Sequence, residues 1–138
     1  MAGPELKVVE NAFRDWTDGT GHVGRIFAPH MTWEIVGRSA AAGKYASAAE
    51  FVTKVLEPFA RRFPATNPFR PVRIRALYTD GPTVIVLWDG EGTTIAGTTY
   101  RNTYVWALTL QDALVVDGLA TFDSIAFNEL WEIVPRKD

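Results

Sequence analysis

The chain has 138 residues, with 14 basic against 16 acidic side chains for a formal net charge of -2, and no cysteine. That length suits a single domain over residues 1–138, able to bury about two thirds of the surface its unfolded form exposes. The absent thiols exclude disulfides and cysteine metal sites, and a near-balanced charge with no like-charge run longer than Arg61-Arg62 argues against nucleic-acid or membrane partners.

The N-terminal stretch "MAGPELKVVENAF" has no basic region followed by a continuous apolar run, and no segment approaches about 18 consecutive apolar residues. The expected setting is cytoplasmic. Leu6, Val9, Phe13 and Trp16, joined by Val8 and Ala12, recur at spacings of three and four and predict an amphipathic helix that stops at Asp18-Gly19-Thr20-Gly21. Val23, Ile26 and Phe27 suggest a short second helix closed by Pro29, and "MTWEIVG" from Met31 to Gly37 reads as a strand. Ser47 three residues before Glu50 is a capping box; it opens a helix with Phe51, Val52, Val55, Leu56 and Phe59 inward, which Pro58 interrupts or kinks.

The second half reads as strands. Val72, Ile74, Ala76 and Tyr78 alternate with Arg73, Arg75, Leu77 and Thr79; Asp80-Gly81 signals a hairpin into "TVIVLW"; Gly90 and Gly92 mark a bend or bulge. "TTYRNTYVWALTL" is a long strand, Gln111-Asp112-Ala113 a turn, and "LVVDGLATF" a further strand. A last helix places Phe127, Leu130, Trp131 and Val134 on one face before Pro135. The expectation is an α+β fold, a cone-shaped curved antiparallel sheet with helices packed on its concave face.

Strand parity then nominates a pocket. Tyr100, Asn102, Tyr104 and Trp106 share one face of the long strand, while Thr99, Arg101, Thr103 and Val105 share the other, which suits solvent or a subunit interface. Val84, Val86 and Trp88 follow the inward parity, as do Val116, Gly118, Ala120 and Phe122. Small residues opposite aromatics suggest a cavity. Asn102 either faces a ligand or is bonded wholly within the protein. "GRSAAAGK", from Gly37 to Lys44, is not a phosphate loop, since five residues separate its glycines and no Ser or Thr follows the lysine. No cluster has metal-ligand spacing.

In order, "WEIVG", "GKY", "VIVLWDGEGTT", "GTTYRNTYVWALTL" and "ATFDSIAFNELW" resemble the SnoaL-like branch of the nuclear transport factor 2-like (NTF2-like) superfamily, from about Val8 to about Val134. The resemblance implies a small-molecule pocket, and in enzymatic members acid and base groups within it. It puts Glu34 or Ile35 where ketosteroid isomerases keep a carboxylate base, and Trp106 where they keep an oxyanion-hole acid. The Arg and Asp groups of related epoxide hydrolases would fall near Trp88, Gly90 and Ala120 and are missing. His22 and His30, unlike the histidine of polyketide cyclases, lie on no strand expected to line the pocket.

Two functions are therefore expected. One is a cofactor-free isomerase, cyclase or dehydratase acting on an apolar substrate, with Glu34, then Asp123 or Asp89, as base; Trp33, Trp88, Tyr100, Asn102, Tyr104, Trp106, Ala120 and Phe122 would bind the substrate. Each carboxylate also has a structural reading: Glu34 outward and paired with an arginine, Asp123 a helix cap, Asp89 part of a turn. The other function is a non-catalytic ligand-binding or accessory domain. The expected partners are a small apolar organic ligand and a second copy in a homodimer, with neither cofactor nor metal.

Overall fold

The computed structural model describes residues 3–137. Helix α1 (Pro4–Asp18) starts with a proline in its first turn, where a missing N–H costs nothing, and ends at Gly19, whose φ of 78° allows the chain to turn away. Its apolar stripe, Val9, Ala12, Phe13 and Trp16, is buried as the periodicity predicts. Val23–Ile26 forms a single 3-10 turn capped by His22. Phe27 already belongs to the first strand, β1 (Phe27–Ile35), so this strand starts earlier than its β-branched content suggested. Pro29 is tolerated because the ladder to the neighbouring strand is interrupted between Phe27 and Thr32, where no N–H is needed.

After the short strand β2 (Gly43–Tyr45), Ser47 caps α2 (Ala48–Phe51) by accepting from the Glu50 N–H at 3.1 Å. Glu50 returns a bond to the Ala46 N–H rather than to that of Ser47. The helix continues through a π-helical stretch (Val52–Leu56) into α3 (Glu57–Ala60). The widened turn stands immediately before Pro58, whose ring and missing N–H are incompatible with a regular α-ladder.

Strands β3 (Arg70–Asp80), β4 (Thr83–Thr93), β5 (Thr99–Gln111) and β6 (Leu114–Phe122) form an antiparallel meander, and α4 (Ser124–Trp131) follows. The sheet order is β2-β1-β6-β5-β4-β3. The expected antiparallel sheet is mixed, because β1 lies parallel to β6; the chain leaves β1 through helices and returns beside it only after the meander. The fold is otherwise the expected α+β arrangement, with α1 and the α2–α3 helix against one face of a curved sheet.

Three bulges in the meander shift strand parity, the first of them in β3 between Pro71 and Arg73. β3 slips between Ile74 and Ala76, so Ile74 and Leu77 turn toward the core while Tyr78 is exposed. β6 slips between its partners Thr109 and Leu110, so Val115 takes the inward place expected for Val116. The expected bulge at Gly90 occurs on one side of β4: the ladder to β3 slips where Gly90 and Asp89 face Pro71 and Arg73, while the ladder to β5 is unbroken through Gly90 and Gly92. They are small because the rings of Phe69 and Phe63 rest on them. The C-terminal segment is pinned by Arg62, which is 5% exposed and donates to the carbonyls of Pro58, Trp131 and Ile133 at 2.8–3.0 Å. Its guanidinium also sits 3.9 Å over the Trp131 ring. Thus α4 stops at Trp131, short of Pro135, and Val134 is exposed rather than on an apolar helical face. Among the described residues no helix is long and apolar enough to cross a membrane.

The turn from β5 to β6 is strained. Asp112 and Ala113 have φ of 53° and 66°, the left-handed values of a tight hairpin without its usual glycine. Ala113→Gly is expected to raise the unfolding free energy by about 0.5–1 kcal/mol in a urea titration, part of the relief being offset by the freer unfolded glycine. An unchanged or lower value would show that the turn carries no such strain.

Candidate functional site

Helices and sheet enclose a cavity of about 130 Å³ that opens toward solvent. The sheet contributes Trp33 and Ile35 from β1, Trp88 from β4, Tyr104 and Trp106 from β5, and Ala120 and Phe122 from β6. Trp16, Phe51, Val55, Phe59 and Phe127 close it from the helices. His22, Ala60 and Pro68 lie at its solvent-exposed mouth. A closed apolar cavity of about 150 Å³ holds benzene; this one is slightly smaller but open at its mouth, which sizes it for one ring with any larger part of a ligand reaching into the mouth.

Aromatic packing gives the walls their shape. Trp33 stacks on Phe51 at 4.5 Å between centroids, Trp88 stacks on Tyr104 at 4.3 Å, and Trp106 stands edge-on to both indoles at 5.0 and 5.1 Å. Small residues make room for them. A Cβ on Gly118 would overlap the Trp33 indole, and Ala120 is the cross-strand partner of Trp106.

Tyr100 and Asn102 share the inward parity of Tyr104 and Trp106 and are buried, but they stand behind the cavity wall instead of lining it. Phe59, Phe63 and Phe69 cover Tyr100. Asn102 uses its amide within the protein: Nδ2 donates to the Asp123 carbonyl at 3.0 Å and to the Tyr100 hydroxyl at 2.9 Å, and Oδ1 accepts from the Asp123 N–H at 3.0 Å. The ligand-facing reading of Asn102 gives way to one of internal bonding. Tyr100 in turn shares a 2.7 Å hydrogen bond with the Tyr104 hydroxyl.

None of the three candidate carboxylates lines the cavity. Glu34 lies between inward Trp33 and Ile35 and so faces the opposite side, with Lys44 and Leu119 as its cross-strand partners. Asp89 faces outward for the same reason, and is held by Arg75 Nε at 2.9 and 3.0 Å and by the Thr103 hydroxyl at 2.7 Å. Burial alone would raise its pKa, but those bonds, with the charges of Arg75 and Arg73, leave it lowered. Asp123 is exposed and caps α4 by accepting from the Ile125 N–H at 3.0 Å.

His22 was missed because it lies in a turn, and period-two reasoning looks only at strands. Its ring packs on Trp16 at 4.7 Å, and Nδ1 accepts from the Gly24 N–H at 2.9 Å. Although the residue is exposed at the mouth, desolvation of its ring lowers its pKa, favouring the neutral form. With Nδ1 occupied as acceptor, the remaining proton sits on Nε2, so His22 is a donor with no free basic lone pair. Among the described residues, no group of three His, Asp or Glu is placed to hold a metal ion.

The two inner tyrosines resist ionisation. Burial, opposed by the bonds from Tyr104 and Asn102, pushes Tyr100 up to about 12, and burial pushes Tyr104 well above its ordinary value. The folded state thus retains a proton that the unfolded state releases near pH 10, so stability is full below about pH 10 and falls as pH rises toward about 12. Absorbance titration should show a late tyrosinate component that shrinks but persists in Tyr100→Phe, because Tyr104 also ionises late, together with declining thermal stability across that window. All four tyrosines ionising together near pH 10, with the fold intact, would contradict this.

No family model matches the sequence, and no curated protein does. Solved structures do share its architecture. An NTF2-like protein from Burkholderia thailandensis aligns with a TM-score of 0.70 at 19% identity, over 91% of this chain and 95% of that one. TerC, co-crystallised with polyporic acid, aligns with a TM-score of 0.71 at 20% identity, over 95% and 100% of the two chains. Bal32a, from a soil-derived mobile gene cassette, aligns with a TM-score of 0.71 at 18% identity, over 92% and 95%. With six strands in one mixed sheet and helices enclosing an aromatic cavity, the chain has the NTF2-like fold.

Proposed function

We propose that the protein binds a small, largely apolar organic molecule without transforming it, within an NTF2-like domain of the SnoaL-like branch. The observation that carries this is the composition of the cavity wall: aromatic rings, aliphatic groups, one tyrosine and one histidine, with no carboxylate. Proton abstraction from carbon needs a base within hydrogen-bond reach of the substrate. Glu34 and Asp89 point to the other face of the sheet, Asp123 is engaged as a cap, and the Nδ1 lone pair of His22 is taken by Gly24. This favours binding over the cofactor-free isomerase, cyclase or dehydratase. That TerC, which shares the fold, was co-crystallised with polyporic acid supports a small-molecule role.

Indene is a suitable probe, being rigid, apolar and small. It is expected to bind with a dissociation constant on the order of 0.1 mM, seen as a change in tryptophan fluorescence. Ala120→Leu, which fills the cavity, should weaken it about tenfold or more, whereas Glu34→Gln, Asp89→Asn and Asp123→Asn should not. Absence of binding to the folded protein, or its loss in a carboxylate variant, would refute the proposal.

The homodimer is also proposed, through the outer face of the sheet. Tyr78, Ile85, Ala107 and Leu119 are successive cross-strand neighbours there and form a continuous apolar band. Tyr78 is 60% and Leu119 42% exposed, an unfavourable arrangement for a monomer in water. Light scattering should give twice the chain mass, and Leu119→Glu should return it to the monomer mass. A monomeric parent protein at about 0.1 mM would exclude the dimer.

A further inference from the structure

The hydrogen bonds around Tyr104 leave one proton without an acceptor. Asn102 Nδ2 donates to the Tyr100 oxygen, and the Tyr100 and Tyr104 hydroxyls share a single contact of 2.7 Å. Two phenolic protons therefore serve one bond. If Tyr104 donates to Tyr100, the Tyr100 proton is stranded among the rings of Phe59, Phe63 and Phe69, where burial of an unpaired polar group is costly. If Tyr100 donates to Tyr104, the spare proton lies on Tyr104, which lines the cavity. The chain then runs one way, from the Asn102 amide through Tyr100 to Tyr104 and on to whatever occupies the cavity. Each bond polarises the next.

The other side-chain polar groups of the wall are donors as well. The indole N–H groups of Trp33 and Trp88 are sealed inside the wall with no acceptor among the described residues, and they offer a ligand no acceptor either. His22 carries its proton on Nε2, because Gly24 occupies Nδ1. A donor-bearing ligand therefore finds no carboxylate, amide or aliphatic hydroxyl in the wall to accept its proton.

We infer that the cavity selects its ligand by a hydrogen-bond acceptor without a proton of its own, such as a ketone or quinone-type carbonyl oxygen on a ring, received by the Tyr104 hydroxyl. This rests on the binding reading above and adds to it the polar half of the ligand. Tyr104 is the specificity residue and touches the ligand; Tyr100 and Asn102 are positioning residues that set the direction of its proton. Because Tyr104 ionises only far above neutral pH, it remains a donor throughout the physiological range.

Three bicyclic probes of similar size separate the possibilities by calorimetry: indene, with no strong polar group; indole, with a donor; and 1-indanone, with a carbonyl acceptor. The wild-type protein should bind 1-indanone about tenfold more tightly than indene, the effect of one additional buried hydrogen bond, and indole no more tightly than indene. In Tyr104→Phe the ratio between 1-indanone and indene should fall to about one. In Tyr100→Phe the Tyr104 oxygen is released as an acceptor, so indole should gain on indene while 1-indanone keeps its advantage; a merely structural role for Tyr100 would not exchange preferences in this way. Equal binding of 1-indanone and indene by the wild type, or indole matching 1-indanone, overturns the acceptor inference and leaves the binding reading intact. If none of the three binds, the binding reading itself fails, and the inference falls with it. The wild-type comparison decides the matter even if either variant does not fold.

Discussion

The amide of Asn102 is bonded on both sides to the backbone of one residue, Asp123, where β6 ends and α4 begins. A buried amide has four hydrogen-bonding positions to satisfy, and an unpaired one costs on the order of 1–3 kcal/mol. This bidentate grip satisfies the carboxamide oxygen and one N–H at once, leaving the second N–H for Tyr100. Much of the candidate site follows from it. It fixes the start of α4, whose Phe127 closes the cavity, and holds Asp123 where its carboxylate caps that helix instead of facing a ligand. Through Tyr100 it also settles the environment of the Tyr104 hydroxyl.

The two faces of the sheet obey different requirements. Inward positions carry the largest side chains, and Trp33, Trp88 and Trp106 fit only because Gly118, Gly90 and Ala120 give up volume where they cross. Rings that brace one another edge-to-face and by stacking hold a cavity open, since collapse would have to break several such contacts together. Outward positions carry the charge. Arg75 with Asp89, and Arg101 with Glu91, pair across strands on that face. Carboxylates that could have served acid–base chemistry are thereby consumed in the solvated or interface layer.

The chemistry of the interior is accordingly one-sided. Its polar side-chain groups are a phenol, indoles and an imidazole whose Nδ1 is occupied. Proton abstraction from carbon needs a base within reach of the substrate, and the three candidate carboxylates, Glu34, Asp89 and Asp123, lie outside this lining. A shared fold does not decide activity, which depends on the groups placed in the site.

Local chemistry was legible in the sequence. The periodicity of Val9, Ala12, Phe13 and Trp16 gave α1, the Ser47 cap and Pro58 predicted a disturbed helix, and alternation along β5 placed Tyr104 and Trp106 inward beside Trp88 and Trp33. These features depend on spacing within one element, which the order of residues specifies directly. What lies between elements was decided only by the tertiary structure. The parallel pairing of β1 with β6, the bulges that moved Tyr78 out and Val115 in, the buried Arg62 clamp and the arrival of His22 at the cavity mouth all join residues far apart in the chain or displaced by a single register slip. Parity can tell which face a strand residue takes; it cannot tell which covered residue meets a cavity and which meets another side chain. Tyr100 and Tyr104 have the same parity on the same strand, yet three phenylalanines from elsewhere in the chain bury the first, and the second is left to face the cavity.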